Sequence, residues 1–127
     1  MDKSSFSKLI VSMNGRSQAV TLEFTLIYTR PDGSTIEVPV GFHSDFATIP
    51  RIFWVLLPPW GYGRSRGYGI CALLHDYAYA YHWLLGLTRK ECDKLFYEAM
   101  KQEGVQWFIR KTIYYAVRIF GASHFKG

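Results

Sequence analysis

The sequence predicts an α+β fold: an N-terminal antiparallel β-meander or hairpin, then a three-helix C-terminal half containing an antiparallel helix pair. Three features support this reading. Residues 19–29 alternate, with Val20, Leu22, Phe24, Leu26 and Tyr28 on one face and Thr21, Glu23 and Thr25 on the other. That is the period of a half-buried strand. Pro31-Asp32-Gly33-Ser34 then supplies a tight turn before a second alternating run, Ile36, Val38 and Val40. Finally, Thr88-Arg89-Lys90-Glu91 is a capping box, in which Thr88 accepts from an early helix N–H and Glu91 reaches back.

The elements follow in order. Residues 6–13 form a short apolar-polar stretch that can add a third strand, and Asn14-Gly15 is a turn signal. The strands of 19–29 and 35–42 should pair as a hairpin. His43 to Pro50 reads as an irregular polar link. One or two helical turns are expected over 51–57, where Pro58-Pro59 stops them. Gly61, Gly63, Gly67 and Gly69 alternate with Tyr and Arg in a loop able to bend sharply. The first helix is expected from residue 69 to about 81–83, with Leu85-Gly86-Leu87 as the connection. A second helix starts at the capping box and runs to about residue 103, stopped by Gly104. A third covers about 105–120, stopped by Gly121. Its apolar stripe of Trp107, Phe108, Tyr114, Tyr115 and Val117 is expected to pack against the sheet. The 127 residues fit a single domain, 1–127, strand-rich over 5–42, linked through 43–68 and helical over 69–121.

Composition narrows the function classes. The chain is 49% hydrophobic and 20% charged, which suits a globular fold. The net charge of +5 favours anionic partners. The basic residues are scattered, however, with no polybasic run and no zinc-finger spacing, so no specific nucleic-acid binding is expected. Cys71 and Cys92 lack redox or zinc spacing and read as buried free thiols. The N-terminus has no long apolar h-region, and the longest apolar run, 52–60, is too short to span a bilayer. Neither a signal peptide nor a transmembrane segment is therefore expected.

One constellation has chemical potential. His75 has Cys71, Ala72, Ala78 and Tyr79 at helical spacing, so its side chain looks inward. Asp93 has Phe96, Tyr97 and Met100 at the same spacings, on a stripe where a carboxylate is costly unless paired. If the first helix ends near residue 81 and the second begins at 88, His75 faces Asp93 or Lys94; if the first continues to Leu84, the pair is offset by about 3–6 Å along the axis. The first geometry brings the two together. Asp93 can then accept the Nδ1–H of His75 and leave the other nitrogen to take a proton from water. Asp76, about 100° further round the helix, can offer an oxygen to a cation such as calcium, with carbonyls from the glycine-rich loop. Ser44-Asp45 either caps the short helix near Arg51 or lets Asp45, or His43, act as a further ligand or acid. A zinc site of His and Asp residues lacks any recognised spacing. The competing reading is that His75, Asp76 and Asp93 hold the helix pair together.

The order His75, Asp76, Tyr79, Asp93 is similar to the core of secreted phospholipases A2, and residues 92–100 resemble the second helix of that family's short bacterial and fungal members. The resemblance covers about residues 70–100. It implies a general base at His75 oriented by Asp93, with calcium at Asp76. The helix-pinning disulfides and the calcium loop of that family are not reproduced. Over about residues 24–121, the chain resembles a family of small uncharacterised proteins of bacteriophages and prophages. The shared stretches are Ser44-Asp45-Phe46-Ala47-Thr48-Ile49-Pro50-Arg51, then Leu74-His75-Asp76-Tyr77, then an Asp on the next helix. This implies a phage or prophage origin and a place in the host bacterial cytoplasm or the virion. Two functions are expected to compete. The first is an ester hydrolase using His75, Asp93 and Tyr79, with Asp76 and Asp45 as candidate metal ligands and an anionic lipid or membrane surface as partner. The second is a non-enzymatic virion component or an effector binding a host protein. An amide or peptidoglycan hydrolase using the same residues is a third expectation.

Overall fold

The structure, a computed structural model, describes residues 6–13, 20–46, 49–50, 52–53 and 68–125. The Asn14-Gly15 turn, most of the expected 51–57 helix and the glycine-rich loop at 61–67 lie outside these residues. The fold class is α+β; among the described residues, antiparallel strands form two small sheets and four α-helices follow. The chain divides into two compact units, residues 1–45 and 46–127.

In the first unit, β1 (Val11–Met13), β2 (Val20–Leu22) and β5 (His43–Ser44) form a three-stranded sheet in the order β1-β2-β5. β3 (Leu26–Thr29) and β4 (Thr35–Val38) form a separate hairpin in which Leu26 pairs with Val38 and Thr29 with Thr35. The alternating run of 19–29 is therefore not one strand. It breaks at Glu23 and Phe24, where Glu23 N–H turns to the Ile10 carbonyl (2.9 Å) and the chain changes sheets. The break reverses the expectation for Phe24, which is exposed instead of sharing the face of the buried Val20, Leu22, Leu26 and Tyr28. His43-Ser44, expected in a link, is the strand that completes the first sheet through Thr21 and Val20. Period-two alternation cannot see a sheet change, because the backbone on both sides of the break is extended. The hairpin turn is as expected. Gly33 takes φ +91°, and the Asp32 carboxylate accepts from Ser34 N–H (2.9 Å) and Ser34 O–H (2.6 Å).

In the second unit, α1 (Gly69–Ala80) is buried almost all round, with Ile70, Asp76 and Ala80 partly exposed. Such a helix is apolar on every side because it has no solvent face. A short helix α2 (His82–Leu85) follows and ends at Gly86, whose φ of +70° forms a left-handed cap. The sequence predicts the first helix continuing to about residue 81–83 and a connection at 85–87; the structure instead breaks at Tyr81 and starts a separate short helix. α3 (Arg89–Gln102) begins at the predicted capping box, with Thr88 Oγ1 accepting from Glu91 N–H (3.2 Å) and Glu91 Oε1 accepting from Thr88 N–H (2.9 Å). α4 (Trp107–Phe120) follows the turn at Gly104. α3 packs between α1 and α4. Side-chain pairs across α1 and α3 fall in number on one helix as they rise on the other: His75 meets Phe96, and Tyr79 meets Asp93. The two helices are therefore antiparallel.

α4 departs from expectation. Of its predicted core stripe, Val117 is buried and Tyr114 partly so, while Trp107, Phe108 and Tyr115 are exposed. Ile113, Ala116 and Val117 make the buried face. The helix is rich in apolar side chains on more than one side, and the side that is buried is the one that meets α3. Among the described residues, no helix is long and apolar enough to cross a membrane.

Candidate functional site

The site is assembled by packing α3 between its two neighbours. Asp93, on the second turn of α3, is fully buried. A carboxylate there costs several kcal/mol unless donors surround it, roughly the scale of burying an unpaired charge. Two helices, α1 and α4, supply the donors. From α1, His75 Nε2 lies 2.7 Å from Oδ1, and Tyr79 O–H donates to the same oxygen at 2.5 Å. From α4, Arg118 donates to Oδ2 at 2.7 Å. Burial pushes the Asp93 carboxyl up, but the hydrogen bonds from His75, Tyr79 and Arg118 outweigh it, and Asp93 titrates below the usual carboxylate range. Tyr79 moves the other way. Burial, and then its bond to the Asp93 carboxylate, push its hydroxyl well above the ordinary phenol value.

A second layer holds this network. Arg89, in the first turn of α3, donates Nε to Tyr79 Oη (3.2 Å) and its terminal nitrogen to the carbonyls of Val117 (2.8 Å) and Arg118 (2.7 Å). It thereby supplies a donor to the Arg118 carbonyl at the end of α4 and a second donor to the Val117 carbonyl, which also accepts from Gly121 N–H (2.8 Å), and sets the Tyr79 hydroxyl. Phe96 stacks on the His75 ring at 4.6 Å and 26°, and Tyr79 packs on it at 4.2 Å. Gly121 allows the close approach of Tyr79: a Cβ there would lie 2.9 Å from its hydroxyl oxygen.

His75 uses its nitrogens in the opposite sense to the sequence expectation. Nε2, not Nδ1, engages Asp93. Nε2 is the distal nitrogen, and it is the one that can bridge the gap between helices whose axes stand about 8–10 Å apart. An ionised carboxylate only accepts, so Nε2 carries the proton, and on a neutral ring Nδ1 is then an acceptor. Nδ1 is buried and, among the described residues, has no hydrogen-bond partner. The arrangement gives an imidazole of fixed orientation with one nitrogen held by an anion and the other open to a proton.

His75, Tyr79 and Asp93 are thus brought together. Asp76 is partly exposed, a little further round α1. Asp45 is exposed at the end of the first unit, and His43 is exposed on β5, its Nδ1 3.1 Å from Thr21 Oγ1. Among the described residues, no group of three or more His, Cys, Asp or Glu side chains is arranged to hold a metal ion. Sequence reasoning missed Arg118, Arg89 and Phe96. The need of a buried Asp93 for a cation was legible. Which cation was not, because Arg118 lies 25 residues away and reaches Asp93 only through the α3–α4 turn.

Two comparisons bear on this chain. It is 30% identical over 91 residues to an uncharacterised protein of Sinorhizobium fredii, an alignment that covers 72% of this chain and 25% of that protein. The chain thus spans about a quarter of the length of the relative it matches. No solved structure matches it. The model of the protein family of unknown function DUF1353 matches residues 20–117, which include most of the sheet and helix framework and His75, Tyr79 and Asp93 but stop one residue short of Arg118, and the chain belongs to that family.

Proposed function

We propose that this chain is a phage-associated hydrolase in which His75 activates water for attack on an ester carbonyl. One observation carries the reading: a buried imidazole held through Nε2 by an ionised carboxylate, with Nδ1 unpartnered among the described residues. Water would give its proton to Nδ1 as its oxygen bonds to the carbonyl carbon. Asp93 would stabilise the imidazolium, and Tyr79 and Arg118 would keep the carboxylate from turning away. The proton on Nδ1 would then pass to the leaving alkoxide. Because His75 is fully buried, turnover on this reading includes an opening step that admits water and ester.

The exposed face of α4 supports a lipid ester. Trp107, Phe108, Tyr115, Ile119 and Phe120 are exposed on a helix that carries Arg110, Lys111 and Arg118 and no acidic residue. Apolar rings among cations suit the surface of an anionic bilayer. Calcium at Asp76 has no cluster of ligands among the described residues, so no step here runs through a metal. Phage association rests on the resemblance of the Ser44–Arg51 and Leu74–Tyr77 motifs.

The complete burial of His75 and Asp93 also favours a second reading, in which the network only ties α1, α3 and α4 together and the exposed α4 face meets a virion or host protein. Hydrolysis of mixed phospholipid vesicles by wild type and His75→Ala, with and without calcium, separates the two. Fatty-acid release lost in the variant supports the hydrolase, and calcium dependence would bring Asp76 into the reaction. No release by folded wild type on any vesicle overturns the lipid-ester reading and leaves the binding protein.

A further inference from the structure

Between α3 and α4 runs an open groove of about 340 Å³, lined by Lys94, Tyr97, Glu98, Lys111, Tyr114 and Tyr115. None of these residues belongs to the His75 network. Each helix contributes the same spacing, first, fourth and fifth, so three neighbouring side chains of α3 face three of α4. The walls are mainly aromatic. Tyr97 meets Tyr114 edge to face at 5.4 Å and 74°, and Tyr114 meets Tyr115 at 5.5 Å and 70°.

The groove is also positively charged. Lys94 and Lys111, one from each helix, are exposed and have no carboxylate partner among the described residues. Arg110 donates Nε to the Tyr97 hydroxyl (3.1 Å) with its guanidinium 5.5 Å from the ring centroid, and the Lys111 ammonium stands 6.0 Å from the same centroid. The Arg110 hydrogen bond, with the charges of Arg110, Lys111 and Lys101, draws the Tyr97 hydroxyl below its ordinary range. Glu98 is the one acidic residue of the lining.

We propose that this groove binds a small aromatic anion, an aryl ring bearing a phosphate or a carboxylate. The ring would lie against the tyrosines while the anionic group sits between Lys94 and Lys111. The volume is at the small end of ligand sites, which run from about 300 to 1,000 Å³, and suits one ring or a fused pair. Charge complementarity decides the class. A neutral aromatic would leave both lysines unused. A bare inorganic anion would leave the tyrosine walls wet. Glu98 disfavours a second anionic group.

The test is titration of the full chain, read by the ring NMR signals of the tyrosines, with phenyl phosphate, benzoate, inorganic phosphate and phenol. Saturable shifts of Tyr97, Tyr114 and Tyr115 with phenyl phosphate or benzoate are expected, and the tighter of the two identifies the anionic group. Phenol and inorganic phosphate should each bind at least about tenfold more weakly. The double variant Lys94→Gln/Lys111→Gln, at exposed positions that leave the fold intact, should weaken the aryl anion by about tenfold or more. Tyr115→Ala should weaken it as well. The proposal is overturned if no aryl anion shifts these signals saturably up to about 10 mM, if the double variant binds like wild type, or if inorganic phosphate binds equally well.

Discussion

Replacing Asp93 by Asn probes the site with a change of one heavy atom, a carboxylate oxygen for an amide nitrogen. The carboxylate accepts from three donors: His75, Tyr79 and Arg118. An amide has one accepting end and one donating end. If its oxygen keeps the Oδ1 position, its NH₂ faces the Arg118 guanidinium, donor against donor. If it flips, the NH₂ faces His75 and Tyr79. The first orientation costs less, because Arg118 is 29% exposed and can turn to water. Bonds to a charged acceptor contribute about 1.5–3 kcal/mol and are about twice as strong as neutral ones, so His75 and Tyr79 each lose about 1 kcal/mol. The solvent-screened Arg118 bond adds about 1 more. The expected loss is about 3 kcal/mol, or roughly 1.5 M in the urea midpoint at a slope near 2 kcal/mol/M.

The same variant has a pH signature. The folded carboxyl titrates below its ordinary value, so its contribution to stability is complete above the unfolded value of about 3.9 and is lost as pH falls through the folded one. The advantage of wild type over Asp93→Asn should therefore be flat near neutrality and shrink in acid. Urea unfolding at pH 7 and at a series of lower pH values measures both effects. A loss below about 1 kcal/mol at pH 7, or an advantage that does not shrink in acid, would refute the view that an ionised Asp93 organises this network.

Three further outcomes are expected. Gly121→Ala places a Cβ 2.5 Å from the Val117 carbonyl oxygen and 2.9 Å from the Tyr79 hydroxyl, so it should destabilise by about 1–3 kcal/mol, read as a lower melting temperature; an unchanged melting temperature would show that the backbone yields there. Thr88→Ala removes one half of the capping box and should cost about 1 kcal/mol in urea unfolding, an effect that Thr88→Ser should largely spare. Cys71 and Cys92 are both buried, with burial raising both thiols and Cys92 to about 12, so neither should react with a thiol reagent at pH 8 until the chain unfolds; rapid labelling of the native protein would contradict this.

Local patterns in the sequence were enough for the fold class, the hairpin turn and the starts of α1 and α3. The Pro31–Ser34 turn, the Thr88–Glu91 box and the positive-φ glycine at 104 each depend on neighbours within a few residues, so the chain carries them wherever it goes. The pairing of His75 with Asp93 was also legible, because two inward polar residues equidistant from a short connection must meet when the helices pack antiparallel. Where the decision depended on distant partners, the tertiary structure made it. The sheet change at Glu23 needed Ile10. The fate of Phe24 and the exposed rings of α4 depended on which faces found neighbours, and hydrophobicity alone does not choose among apolar sides. The reversal of the His75 nitrogens followed from the distance between helix axes. Arg118 and Arg89 joined the site because a buried carboxylate and an unpaired helix end both require donors, and only the packing of α4 on α3 brought those donors within reach.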